Sequence, residues 1–206
     1  MIAHFFFKIK TYLNYHLRAV NAHGLHSPFL FDFYNEVIAV KKEFYFFKQF
    51  RGILSTYTKF ISEVDALFLY RWVAFYKPNS VFVTLENFPA SLALAVPSKK
   101  KSLSVSSLCH FSNQELNVFE GVGISLSESH HADLIYLEEI DAFTKDIIIN
   151  YKCVIIKKPH QNELKDNIWK ELCSLKDISI SIDLFQFGIL LVDKKISKQH
   201  FVVKMR

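Results

Sequence analysis

Glycine is scarce in this sequence: five residues in 206, against 21 phenylalanines. Most turns must therefore be made by residues that carry side chains, and a site needing glycine's backbone freedom has few places to lie. Cysteine is scarcer still. Cys109, Cys153 and Cys173 are odd in number and form no C-x-x-C pair. That excludes a disulfide framework and a cysteine-rich zinc site, so reduced thiols and a cytoplasmic setting are expected. No apolar run approaches the roughly 20 residues of a bilayer-spanning helix. Phe5-Phe6-Phe7 is followed at once by Lys8 and Lys10, and no signal-peptide core is present. Dense basic stripes are missing too. The net charge is +5, but the basic residues come in short pieces such as Lys99-Lys100-Lys101 and Lys157-Lys158, and no nucleic acid is expected as a partner.

What remains is the balance of a folded chain. Half the residues are apolar and 22% are charged, enough for one sizeable core. The first third reads as helical. Phe6, Ile9, Leu13 and Leu17 recur at helical spacing and predict an amphipathic helix over 2–20. It ends at His23-Gly24-Leu25-His26-Ser27-Pro28, where Ser27 is placed to cap a second helix over 28–40 and Pro28 to begin it. Further helices are predicted over 43–56 and 62–76. The latter stops at Lys77-Pro78, because the residue before proline avoids helical angles. From Ser80 the pattern becomes short apolar runs: strands over 80–84, 102–105, 118–124, 132–137, 153–156, 178–182 and 188–192. Helical stretches separate them, ending at Pro97 and covering 112–117, 140–150 and 161–175. Such alternation implies an α/β fold, with a mostly parallel sheet and helices on both faces. The last two strands, close in sequence, form an antiparallel hairpin at one edge. The expected organisation is a helical extension or cap over 1–76 and an α/β domain over 77–206, together one compact unit.

Several segments, in order, resemble a bacterial branch of the class I S-adenosylmethionine (SAM) methyltransferases. They are His23-Gly24-Leu25-His26-Ser27-Pro28-Phe29, Phe75-Tyr76-Lys77-Pro78, Asp133-Leu134-Ile135-Tyr136, Ile182-Asp183-Leu184-Phe185-Gln186-Phe187-Gly188 and His200-Phe201. The resemblance implies a Rossmann-like fold with seven strands and a closing C-terminal hairpin. It also implies where a cofactor would lie. In these enzymes the first strand leads into an acidic, glycine-rich turn of the type E-L-G-x-x-x-G, whose glycines let the backbone approach the cofactor. Here the stretch reads Val83-Thr84-Leu85-Glu86-Asn87-Phe88-Pro89. Leu85 and Pro89 stand in the glycine positions, and Leu85 and Phe88 are expected to fill the ligand's space. Where the family carries a ribose-binding carboxylate after the second strand, this chain has Ser106 and Ser107, with no acid before Glu115. Where the family has an acid near the adenine, after the third strand, the expected match is Gly121-Val122-Gly123. Thr84, Leu85, Glu86, Asn87, Ser106, Ser107 and Glu138 thus mark a degenerate groove. No cofactor is expected; SAM is the cofactor only if the chain is an active enzyme with a divergent site.

Some relatives resemble catechol-type O-methyltransferases, whose acids after the fourth and fifth strands hold Mg²⁺. After the fourth strand this chain has Glu138-Glu139 and Asp141. After the fifth, Lys157-Lys158-Pro159-His160 stands where the family reads D-D-x-H. Two ammonium groups oppose a divalent cation, so no metal is expected. Two readings of the lysines stand: one replaces the cation beside Glu138 or Glu139, or both are solvent-facing loop charges. Other motifs carry less. His130-His131 point apart on an extended chain, His23 and His26 are read as holding a turn, and Cys109-His110 is no nucleophile dyad. No P-loop or Ser-His-Asp order occurs.

Three functions compete. The first is a catalytically degenerate methyltransferase-like protein kept as a binding or assembly subunit, meeting a second protomer or a protein partner through its aromatic N-terminal helices. The second is an active SAM-dependent methyltransferase. The third, ranked last, is a peripheral protein held on a membrane surface by residues 2–20.

Overall fold

The computed structural model describes residues 2–21, 27–40, 44–56, 61–84, 87–106, 110–193 and 196–205, with side chains from Phe5. In chain order the elements are α1 (Ile2–Arg18), α2 (Pro28–Phe33) with a π-helical turn (Tyr34–Ile38), α3 (Tyr45–Thr56), α4 (Glu63–Tyr76), β1 (Ser80–Val83), α5 (Phe88–Ala95), β2 (Ser102–Val105), α6 (Asn113–Gly121), β3 (Ser125–Ser127), β4 (Leu134–Leu137), α7 (Thr144–Ile148), β5 (Cys153–Lys157), α8 (Glu163–Ser174), β6 (Ile180–Asp183), β7 (Phe187–Leu191) and β8 (Gln199–Val202). They divide into two compact units, His26–Asp133 and Met1–Leu25 with Leu134–Arg206.

In the unit His26–Asp133 the phenylalanines make a helical layer. Phe33 meets Trp72 edge-on with ring centres 5.1 Å apart, and Phe46 stacks on Tyr70 at 5.6 Å. The Ser62 side chain caps α4 by accepting the Asp65 N–H at 3.1 Å. The helix stops where expected: Lys77 takes left-handed angles, φ 56 and ψ 53, as a C-terminal residue does. Ser27 precedes α2 but makes no side-chain cap there. β1 pairs in parallel with β2, and β2 with β3, in the order β3-β2-β1. The expected third strand over 118–124 is overturned. Ser112 and Glu115 form a reciprocal capping box, and the helix they start runs on to Gly121. Gly123, at φ +75, then turns the chain into β3 at Ser125. The helix wins because its first turn satisfies its own N–H groups while Phe119 is buried.

The other unit carries β4-β5-β7-β6-β8. β4 and β5 are parallel, β7 runs antiparallel to both β5 and β6, and β8 is parallel to β6. Every residue of β7, and Cys153–Ile156 of β5, is buried, the signature of strands covered on both faces. Gly188 lies opposite Ile156 with the Trp169 ring against it. A Cβ there would stand 2.6 Å from that ring, so only glycine fits. The Tyr15 hydroxyl of α1 donates to the Val203 carbonyl at 2.6 Å, and Val20 pairs with Val203. Burial pushes the Tyr15 hydroxyl up to about 12, although the Met205 N–H it accepts works the other way.

The chain is α/β and Rossmann-like. One unit orders its strands 3-2-1 and the other 4-5-7-6-8, with the seventh strand antiparallel to both its neighbours. The expected hairpin is β6–β7. An eighth strand was not expected: His200-Phe201, read as part of the closing hairpin, lies in β8. α1 forms over 2–18, but Phe6, Ile9, Leu13 and Leu17 face solvent, and α1 packs through Tyr15 instead.

Candidate functional site

Strand carboxyl ends are where an open α/β sheet binds ligands; of the expected site residues, Thr84 follows β1, Ser106 follows β2 and Glu138 follows β4. Leu85, Glu86 and Ser107 lie outside the described residues, as do His23, His26 and Cys109. Thr84 follows β1 and is half-buried. Asn87 is the N-cap of α5, 3% exposed, and its Oδ1 accepts the Ala90 N–H at 3.1 Å. Phe88 begins the helix and Pro89 follows, both buried. The Phe88 ring meets Phe119 edge-on at 5.1 Å and Phe111 at 6.5 Å. At the helix end that could offer N–H groups to an anion, the Ala90 N–H is thus taken by Asn87.

The ends of β2 and β3 are more open. Val105, His110, Phe111, Leu116, Leu126, Ser127 and Glu128 line a cleft of about 560 Å³. This corrects the expectation at Gly121-Val122-Gly123. Those residues end α6, before β3, and the residue that follows β3 is the acid Glu128. Ser106 donates its N–H to Val83 at 3.2 Å. Glu115, the next acid, is taken up at 2.8 Å by the N–H of Ser112 in the capping box.

At the ends of β4 and β5 the carboxylates are matched by lysines. Lys157 Nζ lies 3.1 Å from Glu138 Oε1, so this lysine is paired and is not a free loop charge. Glu138 also accepts the Tyr136 hydroxyl at 3.2 Å. Lys165, which the sequence did not single out, is buried and pairs with Glu139 at 2.7 Å. Asp141 Oδ1 accepts the Phe143 N–H and the Thr144 hydroxyl, each at 3.0 Å. His160 is 8% exposed and has an aspartate against each ring nitrogen. Its Nδ1 is 2.6 Å from Asp166 Oδ1 and its Nε2 2.9 Å from Asp183 Oδ2. Burial alone lowers the imidazole's pKa, but the hydrogen bonds and charges of Asp183 and Asp166 outweigh it and leave it raised. A carboxylate on each ring nitrogen and a raised pKa both favour the protonated His160 ring, which can donate to both aspartates. Neither its nitrogens nor the occupied carboxylates fit a divalent ion, which wants open oxygen ligands.

Asp166 and Asp183 were not singled out as partners. They lie six and 23 residues from His160, and only the fold brings them together. Phe185, at φ 65 in the β6–β7 turn, stacks on His160 with ring centres 5.4 Å apart. Above it opens a cleft of about 460 Å³, lined by Lys8, Ile9, Tyr12, Leu13 and Lys158 among others. A second cleft, about 320 Å³, reaches His160 from the side of Cys173 and His200. Burial pushes the Cys173 thiol up to about 12, so it is protonated and no nucleophile. His200 Nδ1 lies 2.7 Å from the Ser181 hydroxyl, and burial lowers its pKa. His130 packs on Phe82 at 5.1 Å. Among the described residues no three His, Cys, Asp or Glu side chains gather as metal ligands.

Neither a protein-family profile nor a curated protein sequence matches the chain. Solved structures similar to it include a methyltransferase from Geobacter sulfurreducens, at 10% identity and a TM-score of 0.49, covering 74% of this chain and 91% of that one. Another is an SAH-bound methyltransferase from Podospora anserina, at 10% identity and a TM-score of 0.46, covering 71% and 86%.

Proposed function

We propose that this chain is a methyltransferase-fold protein without methyl-transfer activity, kept as a binding or assembly subunit. The observation that carries the reading is the start of α5. Asn87 caps the helix from within, and Phe88 and Pro89 are packed where a cofactor would need small residues and open N–H groups. A dinucleotide-type turn works by letting the ligand reach the backbone; the start of α5 is instead capped by Asn87 and begins with two buried residues. The lysine pairs support the same reading: Glu138 and Glu139 are each paired with a lysine, which among the described residues leaves Asp141 alone of the three acids without an ammonium partner, too few for a divalent ion.

The second reading, an active enzyme with a divergent cofactor site, is favoured by one observation. The cleft at the ends of β2 and β3 is open and holds Glu128, an acid able to accept hydrogen bonds from a base. Thermal melting in SAM and in S-adenosylhomocysteine (SAH) separates the two. A ligand at 100 times its Kd raises stability by about 2.7 kcal/mol. We expect no shift at millimolar ligand; a saturable shift abolished by Glu128→Ala would establish the second reading.

A further inference from the structure

The amphipathic helix α1 turns a row of large apolar side chains to solvent among the described residues. Phe5 is 62% exposed, Phe6 65%, Leu13 55% and Leu17 86%, and Ile9 joins them. At about 100° per residue these five fall within a stripe about 120° wide, running about 18 Å along the axis. The opposite side holds the helix down: Tyr15 is buried and Phe7 and Thr11 are half-buried. An exposed apolar stripe of this extent marks a surface that docks against something.

Charge selects the occupant. Lys8 and Lys10 lie at the two edges of the stripe, with Arg18 at the helix end, and the chain has no acidic residue before Asp32. Lys158 joins Lys8 at the rim of the cleft that Ile9, Tyr12, Leu13 and Phe185 line. A second copy of α1 laid across this face would bring like charges together, with no carboxylate on either helix to pair them. An apolar stripe flanked by lysines matches a different surface. The side chains enter the acyl boundary while the ammonium groups reach up to phosphate headgroups. We propose that α1 is an interfacial anchor that lays this chain on an anionic lipid surface, with Phe5, Phe6, Ile9, Leu13 and Leu17 inserted and Lys8, Lys10 and Lys158 holding headgroups. The inference does not rest on the absence of methyl transfer.

The test is flotation of the full chain with vesicles of phosphatidylcholine alone and of phosphatidylcholine mixed with phosphatidylglycerol. Binding is expected to the mixed vesicles only. Lys8→Gln with Lys10→Gln should weaken it about thirtyfold, since each basic residue near an anionic surface contributes about fivefold. Leu13→Ser with Leu17→Ser should abolish it; both sites are exposed, so the far-ultraviolet circular dichroism should stay unchanged. If the serine variant fails to fold, the lysine variant decides alone. Failure of the wild type to bind anionic vesicles, or binding that ignores the lysine pair, would overturn the proposal. So would a wild-type dimer in solution that the serine variant dissolves without any vesicle binding, because the stripe would then be a self-interface.

Discussion

Replacing His160 by glutamine tests the charged centre of the unit that holds it. His160 sits between two buried aspartates at 2.6 and 2.9 Å. Removing one member of a buried ionic group costs about 3–5 kcal/mol, because the remaining charges stay desolvated. Asp166 keeps the Lys170 ammonium, and Asp183 keeps the Phe185 N–H at 2.9 Å, so the lower end, about 3 kcal/mol, applies. In a chain of this length that lowers the melting temperature by roughly 6–12 °C. The sign with pH is fixed by the raised imidazole pKa. The folded state holds the proton more tightly than the unfolded chain. The stabilisation is therefore complete below the unfolded value of about 6.5 and fades as pH rises through the folded one. Urea unfolding of the wild type and of His160→Gln should differ most near pH ~6, and the gap should narrow in alkali. The comparison stays above pH ~4, where the aspartates themselves protonate. A gap under about 0.5 kcal/mol at every pH, the scale of an indifferent surface change, would refute the charged triad.

Two further variants, one single and one double, test neighbouring regions. Gly188→Ala would push a methyl group to 2.6 Å from the Trp169 ring; a loss of about 1–3 kcal/mol in urea unfolding is expected, and an unchanged midpoint would mean that the ring is not seated there. Calorimetric titration of the wild type with Mg²⁺, Mn²⁺ or Ca²⁺ should give no binding heat, whereas Lys157→Asp with Lys158→Asp, which releases Glu138, should gain a weak site; binding by the wild type contradicts the lysine-for-cation reading.

The strands were the legible part of this fold. β1, β4, β5 and β7 are apolar runs between turn residues, and each lies within two residues of where the sequence puts it. The hairpin was legible because only Leu184, Phe185 and Gln186 separate its strands. The third strand was misread because Val118 and Phe119 look like strand residues, and the Ser112-x-x-Glu115 box outweighed them. That error put a pair of glycines after the third strand, where the residue that follows β3 is Glu128. β8 is only four residues long, with Gln199 and His200 in it, and no periodicity marks it. In the site, Glu138 and Lys157 were legible from their places at strand ends, whereas Lys165, Asp166 and Asp183 join them only through helix and hairpin packing. The α1 stripe was read correctly as amphipathic, but periodicity alone does not tell a face that meets the core from a face that meets something else.

The central claim is that no SAM-type ligand is held at the strand ends of the unit His26–Asp133. The most direct measurement is an amide NMR titration of the full chain with SAH, following Val105, His110, Phe111, Glu128 and the first turn of α5. The account predicts that none of these resonances moves at millimolar ligand. Saturable shifts at Glu128 and at Asn87 or Phe88 would contradict it, because they would show the cleft and the start of α5 sharing one bound cofactor.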